Sequence, residues 1–184
     1  MPTTSVLWRR LDRPGHESAL LSEGPAGAVL NGVAVFSELG KSCHLDYRIV
    51  CDGAWRTVSV RVTGWLDTTP IGIAIDVDAA REWTFSGRPC PDVLGCDDID
   101  LSFSPATNLL PIRRLQLAVG ARASVGAAWL RFPGMTLELL EQSYERLSAS
   151  RYRYESGHGS FVATLETNAA GFVTQYPGLW EKEG

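Results

Sequence analysis

The sequence predicts an all-β protein: a single domain of antiparallel strands over residues 1–184. Three observations carry this. Apolar residues recur with a period of two along most of the chain, the runs are rich in β-branched residues, and short Gly-, Asn- or Asp-containing breaks separate them. The length suits one domain, which buries roughly 70% of the surface its unfolded chain exposes and needs no staples to fold.

The elements follow in order. In LDYRIVC, Leu45, Tyr47, Ile49 and Cys51 share one face, with Asp46 and Arg48 on the other. In WRTVSVRV, Val58, Val60 and Val62 alternate with Thr57, Ser59 and Arg61; in PIGIAIDVD, Ile71, Ile73, Ile75 and Val77 form the apolar set. Asp52-Gly53 between the first two runs is a hairpin signal. Gly24–Gly27 and Gly87–Pro91 read as loops, not domain boundaries. SFVATLET and FVTQY are joined by Asn168–Gly171, a second hairpin loop. Val125, Ala127 and Trp129 alternate and are expected in the core. One stretch dissents: in MTLELLEQSYERLS, Leu137, Leu140, Tyr144 and Leu147 have helical spacing in a helix-forming composition, whereas Leu137 and Leu139 suit a strand. Helix and strand both stay open over 135–147.

Composition narrows the function. The chain is 45% hydrophobic and 21% charged, too apolar for disorder. Its net charge of −4 argues against a nucleic-acid partner, which wants a basic stripe. No apolar run reaches the length of a membrane span. The opening MPTTSVLWRRLDRPG has no apolar signal-peptide core, so a cytoplasmic protein is expected, with Cys43, Cys51, Cys90 and Cys96 as reduced thiols. Their separations lack the close pairs of a structural zinc site, and neither a metal nor a cofactor is expected.

Charge concentrates in GCDDIDLSFSPATNLLPIRRLQL, residues 95–117. With strands placed over 97–104 and 112–119, Asp97 joins the Ile99, Leu101, Phe103 face and Arg113 joins Leu115, Leu117 and Val119. Asp98, Asp100 and Arg114 point to the opposite sides. An arginine on the apolar side stays charged and needs a carboxylate, for which Asp97 is the nearest candidate to Arg113. Ser104 to Asn108, including Thr107, is a turn rich in capping side chains, and Pro111 biases Leu110 toward extended backbone. Three readings stay open: an Arg–Asp network bracing the sheet, a polar anchor at the mouth of an apolar cavity, or a catalytic pair formed by Asp98 and Asp100. No GxSxG, HExxH or phosphate loop is present, and His16, His44 and His158 stand in polar settings, so no catalytic residue is assigned.

This same stretch resembles the signature of the bacterial "putative glycolipid-binding" family, through Gly95, Cys96, Asp98, Asp100, Leu101, Thr107, Asn108 and Leu110 to Leu115. Further matches run in order from Trp8, Glu17, Tyr47 and Trp55 through Gln142, Tyr144 and Tyr152-Arg153-Tyr154 to Tyr176-Pro177-Gly178-Leu179. Leu109 and Ala106 depart from the pattern, standing where another threonine and a bulky aromatic are common. The resemblance implies a long antiparallel sheet curled into a spiral roll or incomplete barrel with an apolar concave face, similar to periplasmic lipoprotein carriers. It pulls 135–147 toward strand and suggests that Trp180 plugs one end of the roll. The expected function is non-catalytic binding of a small amphiphile, a glycolipid for choice, with Asp97, Asp98, Asp100, Thr107, Asn108, Arg113 and Arg114 orienting its head group. A hydrolase acting through an aspartate pair, or an interaction protein without a pocket, are the alternatives.

Overall fold

The computed structural model describes residues 2–184. One sheet holds every strand. The first half is a meander: β1 (Thr3–Arg10), β2 (Gly15–Gly24), β3 (Gly27–Glu38), β4 (Lys41–Asp52), β5 (Thr57–Leu66) and β6 (Thr69–Val77), ending in the short β7 (Trp83–Phe85) and β8 (Arg88–Pro89). The second half is another meander: β10 (Arg122–Arg131), β11 (Thr136–Arg146), β12 (Arg151–Ser156), β13 (Phe161–Thr167), β14 (Val173–Tyr176) and β15 (Trp180–Glu183). The halves join where β15 pairs antiparallel with β1. Between them lie β9 (Asp98–Leu101), which pairs parallel with β10 as the far edge, two 3₁₀ turns (Pro91–Val93 and Ala106–Asn108), and the helix α1 (Leu109–Leu115).

The alternation read from sequence governs which face is buried. In β4, Cys43, Leu45, Tyr47, Ile49 and Cys51 all point inward. In β5 the phase slips: Cys51 pairs with Thr57 and Val50 with Ser59, so Val58 is the extra residue of a bulge. Thr57 is therefore buried and Val58 exposed, the reverse of the simple alternation. The open stretch 135–147 resolves as strand over Thr136–Arg146. β11 pairs with β10 on one side and β12 on the other, and a helix there would leave both neighbours' backbone groups without partners.

The second correction concerns residues 112–119, expected as a strand. The chain is helical over Leu109–Leu115 and loop beyond. Pro111 sits in the first turn of α1, where a helix needs no N–H from it, so it starts the helix rather than extending Leu110. Leu109, Leu110, Pro111 and Ile112 are all buried, as befits a helix enclosed on every side. Likewise the strand expected over 97–104 stops at Leu101. With both runs shortened, the assignment of Asp97 as partner of Arg113 falls too.

α1 and its approach fill the curl of the sheet. Phe103 meets Tyr47 of β4 and Phe132 beyond β10, each at 6.2 Å between ring centres. Ser104 reaches Glu17 of β2, Asn108 reaches Tyr144 of β11, and Arg113 reaches the β13–β14 loop at Ala170. The concave face is apolar as expected, and its occupant is the chain's own segment 103–112, buried throughout.

The sheet does not close into a barrel, since β8 and β9 are not paired. The open edge is clasped instead. Thr57 N–H donates to Asp97 O (2.8 Å), and Ile99 N–H donates to Thr57 Oγ1 (3.1 Å). Arg81 donates to the carbonyls of Thr57 and Cys96 (2.8 and 2.9 Å), and Trp83 Nε1 also donates to Cys96 O. This covers an edge that would otherwise offer free backbone groups to another chain.

Candidate functional site

The structure divides the seven candidate residues among three places. The first is an ion-pair network at the seam. Arg114 Nε and Nη2 donate to the two oxygens of Asp98 (3.1 and 2.5 Å), a bidentate pair. Asp97 lies 3.5 Å from Arg114 and 3.3 Å from Arg81. The Asp98 side chain is 1% exposed. Burial pushes its carboxyl above the ordinary range, against the pull of the Arg114 guanidinium. These groups satisfy one another and tie β9 to α1. Thr107 is paired within the chain as well: its Oγ1 accepts from Leu101 N–H.

The second place is a cleft of about 200 Å³ at the N-terminal end of α1, where Asp100 and Asn108 meet. Its polar lining adds Ser102 and Ser104; its walls are the rings of Trp129, Tyr154, Phe161, Tyr176 and Trp180. Trp129, expected in the core, is only half-buried here. Trp180 is buried on the same wall. Gln142 Nε2 donates to Asp100 Oδ2 (2.6 Å), and Tyr144 OH donates to Asn108 Oδ1 (3.0 Å). Burial lifts the Asp100 carboxyl to about 6; Gln142 opposes the shift and Asp98 adds to it. Tyr154 and Tyr176 are raised by burial too, so both rings present neutral hydroxyls.

Behind Ser104 lies a second buried carboxyl. Glu17 Oε1 accepts from Ser104 Oγ (2.5 Å) and from Tyr47 OH (2.6 Å), while its Oε2 has no partner. Burial raises Glu17 to about 8. Arg10 stands between the rings of Phe36 and Trp180 (4.7 and 5.0 Å), bonded through Nε to Asp12, with its own Nη1 unpartnered. Glu17 and Gln142 stood in the sequence only as points of family resemblance, and Tyr47 and Tyr144 as members of apolar patterns. A signal was available: Glu17 falls in phase with Ala19 and Leu21 of β2, and Gln142 with Tyr144 of β11. A polar side chain in the buried phase needs a partner.

The third place belongs to Arg113. Its Nη1 donates to Ala170 O (3.2 Å), its Nη2 donates to Glu23, and its guanidinium lies 4.4 Å over the Trp55 ring. It lines a cleft of about 600 Å³ at the other end of α1. The family departures, Ala106 and Leu109, are both fully buried. His44 stacks on Trp65 and bonds Asp46 (2.6 Å) on the outer face. No hydroxyl or thiol among the described residues hydrogen-bonds to it.

An open, curled antiparallel sheet wrapped around its own short helix, with a polar cleft at the helix N-terminus, defines the class. The chain belongs to the family described as "Putative glycolipid-binding", whose model matches residues 5–182. It is similar to a DUF1089 family protein from Pseudomonas aeruginosa known from a crystal structure, with 32% identity over 100% of this chain and 93% of that one, at a TM-score of 0.75. No curated protein matches it at a significant level. Among the described residues no helix is long and apolar enough to cross a membrane.

Proposed function

We propose that the chain binds the head group of an amphiphile, a sugar ring in particular, in the cleft at the N-terminal end of α1. One observation carries the reading: a carboxylate and an amide, Asp100 and Asn108, are fixed by Gln142 and Tyr144 at the floor of an aromatic-walled cleft. Rings on the wall suit the apolar faces of a sugar, and fixed polar groups on the floor suit its hydroxyls. The volume of about 200 Å³ corresponds to about seven waters and falls below the ~300–1,000 Å³ of drug-sized pockets. It suits one ring and no acyl chain. The interior of the curl is occupied by α1, so an alkyl tail would lie over the half-buried rim of Leu140 and Leu179, beside exposed Phe161. Of the sequence-derived set, Asp100 and Asn108 keep a contact role in this reading.

The hydrolase alternative needs two carboxylates facing one cleft. Asp100 is the one acid lining this cleft, and Glu17 stands behind Ser104, which favours binding over hydrolysis.

Trp129 and Trp180 make the test direct, since both report from the wall. Octyl glucoside should change the tryptophan emission saturably, and an octyl detergent without a sugar should not. Asp100→Asn keeps the Gln142 contact but removes the charge that accepts sugar hydroxyls, and should weaken the response at least about tenfold. An equal response to both detergents would sink the proposal.

A further inference from the structure

The cleft at the C-terminal end of α1 is built from charge of one sign. Its lining includes Arg113, Arg146, Trp55, Asn168 and Gly171, and no carboxylate. Arg146 has no acidic partner among the described residues. Its Nε, Nη1 and Nη2 each donate to a backbone carbonyl, of Ser148, Leu117 and Ala149. A guanidinium carries five N–H groups, so the fork is held rigid with donors to spare. Arg113 is held by Ala170 O and by the Trp55 ring, and its Nε has no protein acceptor. Asn168 spends its Oδ1 on the N–H groups of Ala170 and Phe172, which leaves its Nδ2 donors unused.

Two further details concern the surroundings of Arg113. Trp55 has φ +65°, a left-handed conformation that a bulky residue adopts only at a cost, in a hairpin where glycine would be free of strain. With that backbone the indole lies 4.4 Å from the guanidinium. Gly171 has φ +99°, which favours glycine, and packs against the Arg113 side chain: a Cβ there would meet Arg113 Cδ at 3.4 Å, an ordinary contact.

We infer that this cleft binds a phosphate-type oxyanion between Arg113 and Arg146. Two preorganised guanidinium forks are the side-chain chemistry that recognises such a group. In the free protein Glu23 of β2 occupies one side of the Arg113 fork. The oxyanion exchanges with that carboxylate, so Glu23 acts as an internal competitor. The site is independent of the sugar cleft at the other end of α1. The same oxyanion chemistry is offered by free phosphate and by an anionic lipid head group.

The test is a ¹⁵N–¹H NMR titration of the full chain at low ionic strength, where such contacts are least screened. The probes are inorganic phosphate, dihexanoyl phosphatidylglycerol below its micelle concentration, and dihexanoyl phosphatidylcholine for comparison. Saturable shifts are expected at Gly171, Asn168 and the Trp55 indole. A response to inorganic phosphate identifies a free-oxyanion site; a response to phosphatidylglycerol alone identifies a lipid head-group site. Arg113→Gln should weaken binding at least about tenfold, the loss of one charge-assisted contact. Glu23→Gln should tighten it, because the competitor is gone while the fork stays. Asp100→Asn should leave it unchanged. Absence of saturable shifts with every probe, an unaltered response in Arg113→Gln, a weaker one in Glu23→Gln, or dependence on Asp100 would each overturn the inference.

Discussion

Glu17 places an acid in the fold's interior, on the buried face of β2. Its carboxyl is buried, holds two hydroxyls, and keeps its proton to about 8 rather than the ordinary 4.5. The sign of the pH effect follows. Below about pH 4.5 the folded and unfolded chains are both protonated at this position. Between there and about 8 the unfolded chain has released the proton that the folded one keeps, so stability falls by about 1.4 kcal/mol per pH unit from this group. Asp100 behaves alike over the narrower window from its ordinary 3.8 to about 6. Chemical denaturation of Glu17→Gln across pH 5 to 9 should therefore give a flatter stability profile than the parent and a gain at the alkaline end. A parent profile that rises over this range would refute the assignment. Gly32 belongs to the same cluster. It faces Tyr47 across β3–β4, and a Cβ there would stand 2.3 Å from the phenol ring. Gly32→Ala should displace Tyr47 from Glu17 and cost about 1–3 kcal/mol, measurable as a lowered denaturation midpoint.

At the scale of the element, α1 is the part that local patterning misjudged. Residues 112–119 have strand-like alternation and a proline that discourages helix just before it, yet four consecutive residues, Leu109 to Ile112, are buried. Burial on every side erases both periodicities, so neither the helix nor the strand template could win from sequence alone. Arg113 and Arg114 do part company, as two adjacent arginines must, but a helix sends them to partners on different strands: Glu23 on β2 and Asp98 on β9. Long-range ion pairs of that kind leave no trace in spacing. The outer strands were legible because one face is solvated and the other is not. β11 was ambiguous because its helical propensity is local and its reason to be a strand lies in β10 and β12. α1 also makes a clear packing prediction. Leu109→Ala removes a fully buried side chain from the middle of the curl and should cost about 2–5 kcal/mol in equilibrium unfolding. A cost well under 1 kcal/mol would mean that the interior tolerates being emptied, and would reopen it as a ligand cavity.

For the whole molecule, the seam is the point of vulnerability. Thr57 ties β5 to the edge strand β9 through both its backbone and its hydroxyl, and it does so only because the bulge at Val58 turns it inward. Thr57→Val keeps the shape and removes the acceptor for Ile99 N–H, at an expected cost of about 1–3 kcal/mol. Hydrogen exchange at Ile99 should rise more than at Leu130 if the seam opens locally. The order of the strands has a different consequence. Leu7 to Arg10 pair with Trp180 to Glu183, so the middle strand of the sheet, β1, has β15 as its neighbour, and the two come from opposite ends of the described sequence. Each meander is assembled from near neighbours, which fold fast, whereas their union spans almost the full sequence separation and comes late. Removing residues 180–184 would not trim an edge; it would cut the sheet into two blocks, each with a new raw flank. In refolding, the two halves form separately and wait for the strip Trp180–Glu183 to join them, and a chain cut before Trp180 would hold a pair of unfinished sheets rather than one nearly complete protein.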